Sequence, residues 1–189
     1  MAKQFPAIDD RLRAFIEDQR IFFAASAAAG GRVNVSPRGT EALRILGPDA
    51  AAYLDLTGSG NETAAHLRAD GRLTLMFCAF AGAPMILRLY GRGCVLRRGS
   101  DAYRDLLARA FEGREPPGAR QIVRLDIDLV QTSCGYGVPL FESAGDRAGL
   151  ARWAEAEGED GLDAYRREKN LLSMDGLPTG LLDDEGAGG

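Results

Sequence analysis

The chain has few of the side chains on which most metal-dependent and hydrolytic chemistry depends. Its 189 residues include one histidine, His66, and three cysteines, Cys78, Cys94 and Cys134, which are far apart. This composition excludes a multi-histidine metal site and indicates neither a zinc knuckle nor a disulfide framework. A Ser-His-Asp triad would have to use His66. Because disulfides are rare in reducing compartments, the cysteine usage fits a cytoplasmic protein.

Excess positive charge and long apolar runs are also missing. The chain has 23 Lys and Arg against 27 Asp and Glu, for a net charge of -4. This sign is unfavourable for binding phosphate backbones, so we expect no nucleic-acid partner. No apolar run approaches the roughly 20 residues that span a bilayer, and the charged start lacks the apolar core of a signal peptide. We therefore expect a soluble, unexported protein without a membrane partner.

Glycine, by contrast, is abundant, and it indicates a mainly β fold. The 24 glycines lie mostly between short apolar runs, where they mark tight turns. The pattern predicts six or seven antiparallel strands, at residues 21–26, 32–36, 43–46, 51–56, 73–80, 85–96 and 121–131. Helices are expected at residues 9–20, 63–69, 100–111, 146–157 and 161–169. The pattern therefore predicts that residues 1–189 form one domain, a small barrel or strongly curved sheet with flanking helices. A helical C-terminal extension starts at about 140, and a flexible tail at about 183.

A glycine-rich turn in residues 56–66 is the most informative segment. Here Leu56 ends a strand, two glycines follow, and a helix begins near Thr63. Free N–H groups at a helix start, together with nearby hydroxyls, suit a phosphate group. Ser59 and Glu62 also match the S-x-x-E capping box, so the alternative is a well-capped helix without a ligand.

Two further segments place arginines beside strands. In Asn34–Gly39 the guanidinium of Arg38 follows a strand, where it suits a phosphate or carboxylate, or is simply a solvated arginine of a turn. Arg88 interrupts an apolar strand and therefore needs either a carboxylate partner or a ligand.

Small residues surround a thiol and a phenol in the segment 131–139, directly after the last strand. The segment could form the wall of a pocket. With His66 distant in sequence, Cys134 is interpreted as structural rather than nucleophilic. The polar, turn-rich residues 169–178 are expected to cover a site or to contact a second subunit.

Taken together, these segments resemble the pyridoxamine 5′-phosphate oxidase-like family over residues 9–139. The similarity rests on Val-Ser-Pro-Arg-Gly at 35–39, Thr-Gly-Ser-Gly-Asn-Glu-Thr-Ala-Ala-His at 57–66, and Leu-Arg-Leu-Tyr-Gly at 87–91. Ser-Cys-Gly-Tyr-Gly-Val-Pro at 133–139 is similar to the flavin-nucleotide-binding branch. The resemblance implies a split β-barrel with six or seven antiparallel, Greek-key-like strands. It also implies a homodimer with FMN in a groove between the subunits.

The resemblance also implies a set of cofactor-binding residues. These are Asn34, Val35, Ser36, Pro37, Arg38, Gly39, Leu56, Thr57, Gly60, Asn61, Glu62, Thr63, Arg88, Ser133 and Cys134. The segment 61–63 replaces a Ser-Arg-Lys phosphate clamp of the family, and Ile86 replaces a family glutamine. Glu62 would repel a phosphate unless the capping box engages it. Neutralisation is then expected from Arg38, Arg88 or the partner chain.

The implied function is an FMN-dependent oxidoreductase acting on a small-molecule substrate that the sequence does not identify. Oxidation of vitamin B6 is not the leading reaction, because the Arg and His residues that hold pyridoxal phosphate in the true oxidases have no match. One alternative is a non-catalytic protein that binds flavin or haem on the same fold. Another is a structural dimer with an empty groove.

Overall fold

The computed structural model describes residues 2–183, and the predicted tail beyond Asp183 lies outside them. Eight strands follow one another as β1 Lys3–Phe5, β2 Ile21–Ser26, β3 Asn34–Gly39, β4 Leu43–Gly47, β5 Ala50–Leu56, β6 Arg72–Cys78, β7 Ile86–Arg97 and β8 Ala119–Ser133. The helices are α1 Asp10–Asp18, α2 Glu62–Ala69, α3 Asp101–Ala110 and α4 Gly149–Lys169.

The strands form one antiparallel sheet that curls into a half-barrel, which confirms the predicted split β-barrel class. The order is β3-β2-β6-β7-β8-β5-β4, with β3 and β4 at the two edges. The long β8 pairs with β7 on one side and with both β5 and β1 on the other. β1 is absent from the predicted strands, because its three residues show no alternating pattern and pair with the distant end of β8.

Two apolar clusters hold the sheet and the helices together. The larger one fills the inside of the curved sheet, where Leu12 and Ile16 of α1 pack against strand residues such as Phe22 and Leu89. The smaller one packs Tyr103 and other residues of α3 against β5 and β8. Burial of these apolar side chains is the main favourable contribution to folding.

Side-chain caps begin two of the helices, whereas the capping box predicted before α2 is absent. Asp9 accepts from the Leu12 N–H at 2.7 Å, and Ser100 accepts from the Tyr103 N–H at 3.2 Å, as N-cap residues do. The capping box predicted at Ser59 is wrong, because α2 starts at Glu62 and its N-cap residue, Asn61, makes no side-chain cap bond.

The helical extension consists of two helices that meet at a kink within the span of α4. Gly158 has φ 63°, inside the span of α4. This left-handed conformation suits glycine. It lies between the two predicted helices, 146–157 and 161–169. Within residues 2–183, no helix is both long and apolar enough to cross a membrane.

Candidate functional site

A half-open groove of about 500 Å³ lies between the edge strand β3 and the loop that leads into α2. Its volume is within the range of small-molecule sites. It is lined by Asn34, Ser36, Pro37, Arg38, Gly39, Ala42, Leu54, Leu56, Gly58, Ser59, Gly60, Asn61, Glu62, Thr63, Arg120 and Leu150. The groove therefore joins the two segments that the sequence analysis had singled out separately.

The strand pairing explains why these two segments meet. β3 pairs with β2 along one side only, so its other side is free to border the groove. The end of β5 delivers residues 57–61, named here the glycine-rich loop, to the same place. The Asn34 amide bridges the two parts by donating to Thr63 Oγ1 at 3.2 Å, at the start of α2.

A buried carboxylate, that of Asp55, lies behind the groove and holds two arginines. Its Oδ1 lies 2.5 Å from Nη1 of Arg38, and its Oδ2 accepts from Nη2 and Nε of Arg120 at 2.6 and 3.1 Å. Gln121 donates to the same Oδ2 at 2.8 Å. Asp55 is only 1% exposed, so these partners replace water around its charge.

The electrostatics of this cluster keep Asp55 ionised. Burial by itself raises the pKa of the Asp55 carboxyl, but the charges of Arg120 and Arg38 outweigh it and lower that pKa below its usual 3.8. Arg38 also lies over the ring of Tyr53, at 4.8 Å from the centroid. Burial raises the pKa of Tyr53 to about 12. Two positive groups and one negative group therefore meet here, with a net positive charge.

Arg120 reaches this position because of an irregularity in β8. Asp55 pairs with Gln121, whereas the next residue, Leu56, pairs with Ala119, so Arg120 is the extra residue of a β-bulge. A bulge changes the direction of a side chain. The Arg120 guanidinium also donates from Nη1 to the Gly60 carbonyl at 3.0 Å, which ties it to the glycine-rich loop.

Glu62 lines the groove with a negative charge that the capping box does not engage. Its carboxylate instead accepts the Met174 N–H, at 3.0 Å to Oε1 and 3.2 Å to Oε2. The predicted interaction with Ser59 is therefore replaced by a contact from the C-terminal segment. The Asn61 side chain is also occupied elsewhere, since its Oδ1 accepts from Gln121 at 2.8 Å.

Five of the fifteen predicted cofactor residues do not line the groove. Val35 alternates to the other face of β3 and is 57% exposed, and Thr57 is buried beside Gly118, to whose carbonyl it donates at 2.9 Å. Arg88, Ser133 and Cys134 lie outside the groove. The guanidinium of Arg88 donates to the Ser133 hydroxyl at 3.3 Å, which is neither of the two contacts expected for it. The remaining ten line the groove.

Two residues that line the groove, Arg120 and Leu150, come from distant parts of the chain and are absent from the predicted set. Leu150 comes from the first turn of α4, and no local pattern links it to β3. Arg120 directly precedes the predicted strand 121–131. Its position beside the apolar run that follows was a usable signal, since a charge next to a buried strand needs a partner.

Cys134 and His66 are not exposed to the groove. Cys78, Cys94 and Cys134 are free, and burial raises the pKa of the Cys78 thiol. His66 is 1% exposed and hydrogen-bonds through Nδ1 to Ser26 Oγ at 3.1 Å. Within residues 2–183, no cluster of three or more His, Cys, Asp or Glu side chains could hold a metal ion.

Sequence comparison identifies relatives over most of the chain. A family model described as "Pyridoxamine 5'-phosphate oxidase" matches residues 8–134. The chain is 38% identical to the pyridoxamine 5′-phosphate oxidase family protein ustO of Aspergillus flavus over 190 aligned positions. This match covers 92% of the chain and 76% of that protein.

Solved structures share the fold at low sequence identity. A HupZ variant of Group A Streptococcus superposes with a TM-score of 0.53 at 16% identity, covering 67% of this chain and 99% of that one. A Lactobacillus delbrueckii protein provisionally assigned as a pyridoxamine 5′-phosphate oxidase gives 0.52 at 20% identity, with 67% and 94% covered. At such identities, the similarity shows the fold alone.

Proposed function

Because the chain belongs to the pyridoxamine 5′-phosphate oxidase family, we propose that it binds FMN in the groove between β3 and the glycine-rich loop. We further propose that it uses the flavin to oxidise or reduce a small-molecule substrate. The observation that carries the proposal is the convergence of the α2 N-terminus with the guanidinium groups of Arg38 and Arg120. The cytoplasmic location stays a prediction of the sequence.

The residues present fit the anionic end of such a cofactor. The Nε of Arg38 is buried and has no hydrogen-bond partner among the described residues, so it has a donor to offer. Gly39 and Gly58 have no atoms within 4 Å of where a Cβ would be, which leaves the groove open for close approach to the backbone. The first N–H groups of α2 and the Thr63 hydroxyl add neutral donors.

The protein's part in the reaction is to bind and orient. The bound flavin supplies the hydride chemistry. Arg38 would neutralise the phosphate, and Asp55 would hold Arg38 in place. The edge strand Asn34–Gly39 would border the ring, and Leu54 and Leu56 would exclude water from one wall of the groove.

We also infer a homodimer that closes the groove. Val33, directly before edge strand β3, and Val35, within it, are 70% and 57% exposed. An exposed apolar edge strand is normally covered by another element or chain. Arg88, Ser133 and Cys134 lie away from the groove of their own chain, so they could contact this cofactor only from the partner subunit.

The alternative of haem binding through histidine is less well supported. Haem in many proteins is held by an axial histidine. Here the chain's one histidine, His66, is 1% exposed and bonded to Ser26. A planar flavin, which needs no axial ligand, fits the groove better.

The decisive experiment is a visible absorbance spectrum of the purified protein, followed by titration of the stripped protein with FMN, FAD and haem. We expect saturable, FMN-selective binding. Preferential haem binding, or no saturable binding, would overturn the cofactor assignment. Reduction of bound FMN by NADH or NADPH and its reoxidation by an acceptor tests the oxidoreductase part. Binding without any such turnover would support the non-catalytic alternative instead.

Arg38→Gln provides the matched test of the groove. Loss of one charge-assisted hydrogen bond should weaken FMN binding about 10- to 100-fold. Arg13→Gln is the control, because Arg13 lies on α1, outside the groove, and pairs with Glu17. An unchanged affinity in Arg38→Gln would show that FMN does not bind through this groove. Sedimentation equilibrium of the wild type tests the homodimer, and a monomer at micromolar concentration would contradict it.

A further inference from the structure

The end of α4 makes buried polar contacts with the glycine-rich loop. Arg166 is 5% exposed, and its Nε donates to Thr57 Oγ1 at 2.9 Å. Its Nη2 donates to the Ala119 carbonyl at 3.0 Å, and its Nη1 pairs with Asp163 at 2.8 Å. One side chain therefore links the first residue of the loop to the start of β8.

Asn170, directly after α4, links the loop to a groove arginine. It is fully buried, and its Nδ2 donates to the Gly58 carbonyl at 3.0 Å. Its Oδ1 accepts from Nη1 of Arg120 at 2.8 Å. The Asn170 carbonyl in turn accepts from Thr179 Oγ1 at 2.8 Å, which fixes the residue from the C-terminal side. The side-chain nitrogen and the side-chain oxygen of Asn170 therefore both make hydrogen bonds.

The loop needs such external support. Gly58 and Gly60 give its backbone unusual freedom. The α2 N-cap residue, Asn61, supplies no side-chain cap bond. Residues 118–121 hold part of the loop from the start of β8. Arg166 and Asn170 add contacts to Thr57 and Gly58, and both residues lie outside the segment 8–134 that the family model matches.

We propose that Arg166 and Asn170 are positioning residues that hold the glycine-rich loop and Arg120 in the conformation that receives the cofactor. The C-terminal extension then contributes to the site, although within residues 140–183 it lines the groove only through Leu150. The proposal rests on the proposed function for the identity of the ligand. Its structural half, that Arg166 and Asn170 hold the loop, does not depend on that ligand. Its functional half is that this support strengthens binding of the cofactor.

Hydrogen–deuterium exchange tests the structural half. Asn170→Asp keeps the oxygen that accepts from Arg120 but loses the donor to Gly58 and sets a carboxylate against that carbonyl. We expect faster exchange at amides 57–63 in Asn170→Asp and in Arg166→Met, with the strand amides of β6 and β7 unchanged. The control is Arg167→Ala, since Arg167 is exposed on the same helix. Unchanged exchange in the loop of both variants would overturn the proposal.

FMN titration tests the functional half. Asn170→Asp and Arg166→Met should each raise the Kd for FMN about tenfold at a temperature where both remain folded, and they should shift the visible band of the bound flavin. Arg167→Ala should do neither. Arg166→Lys keeps the charge and should recover part of the affinity. Faster loop exchange with unchanged Kd would overturn the positioning role.

The two proposals fail in different ways. If the wild type binds no FMN, the proposed function fails, while the exchange result still decides whether Arg166 and Asn170 hold the loop. If the wild type binds FMN and neither exchange nor Kd changes in the variants, only the positioning role fails. If Arg166→Met does not fold, Thr57→Val replaces it, because it removes the oxygen that accepts from Arg166 while keeping a similar volume.

Discussion

The buried carboxylate of Asp55 accepts two hydrogen bonds from the guanidinium of Arg120, at 2.6 and 3.1 Å, across a bulge in the β5–β8 ladder. Both side chains are nearly inaccessible to water, at 1% and 3% exposure. The pair joins the sheet to the glycine-rich loop, because Arg120 continues to the Gly60 carbonyl and to Asn170. The stability of the fold and the geometry of the groove therefore depend on the same residues.

Replacing the carboxylate should destabilise the protein strongly. In Asp55→Asn, the buried charge of Arg120 and the partly buried charge of Arg38 lose their counter-charge, and we expect the free energy of unfolding to fall by about 3–5 kcal/mol. Urea denaturation measures it. The control is Asp126→Asn, which breaks an exposed pair with Arg124 and should cost less than about 1 kcal/mol. Equal effects in the two variants would contradict this account.

Acid should weaken the protein through the same residue. The pKa of the Asp55 carboxyl is lowered in the folded state, because the charges of the arginines outweigh the effect of burial. The folded protein therefore binds a proton at Asp55 less tightly than the unfolded chain does. The stabilisation is complete above the ordinary value of 3.8, and it is lost as the pH falls through the lower folded pKa. Urea denaturation at a series of pH values below 5 should show this loss in the wild type. The Asp55→Asn variant should lack the part of this loss that protonation of Asp55 causes. If the free energy of unfolding depends on pH in the same way in both proteins, this explanation is contradicted.

Removing the negative charge at the groove should strengthen FMN binding. Glu62→Gln keeps an oxygen that accepts the Met174 N–H but removes the repulsion of a phosphate. We expect the Kd to fall about fivefold, equivalent to about 1 kcal/mol, and the gain to shrink at high salt. Fluorescence titration of FMN measures it. Glu17→Gln, on α1, is the control. A higher Kd in Glu62→Gln would indicate that the phosphate binds elsewhere.

One glycine in β7 is required by backbone crowding. A Cβ on Gly91 would lie 1.9 Å from the Asp126 carbonyl oxygen of β8, where the ladder shifts register. A backbone atom cannot move aside easily, so Gly91→Ala should destabilise the protein by about 1–3 kcal/mol or more. Thermal unfolding compares it with Gly137→Ala, where no atom lies within 4 Å of the new methyl. Similar melting temperatures for the two variants would refute this explanation.

Much of the fold could be predicted from local patterns. Seven of the eight strands follow from alternation and turn residues. The missed strand, Lys3–Phe5, is paired by residues more than 120 positions away. The capping box at Ser59 failed for a similar reason, because distant partners, Met174 and Gln121, engage Glu62 and Asn61 instead.

The sequence by itself determined the curled antiparallel sheet and the two segments that border the groove, because turns, strand alternation and the glycine-rich loop are encoded by neighbouring residues. Only the tertiary structure decided which charges lie there. A one-residue bulge directs Arg120 to Asp55, and the end of α4 brings Arg166 and Asn170 to the loop. Such contacts join residues that are 50 to 112 positions apart, and no local sequence pattern predicts them.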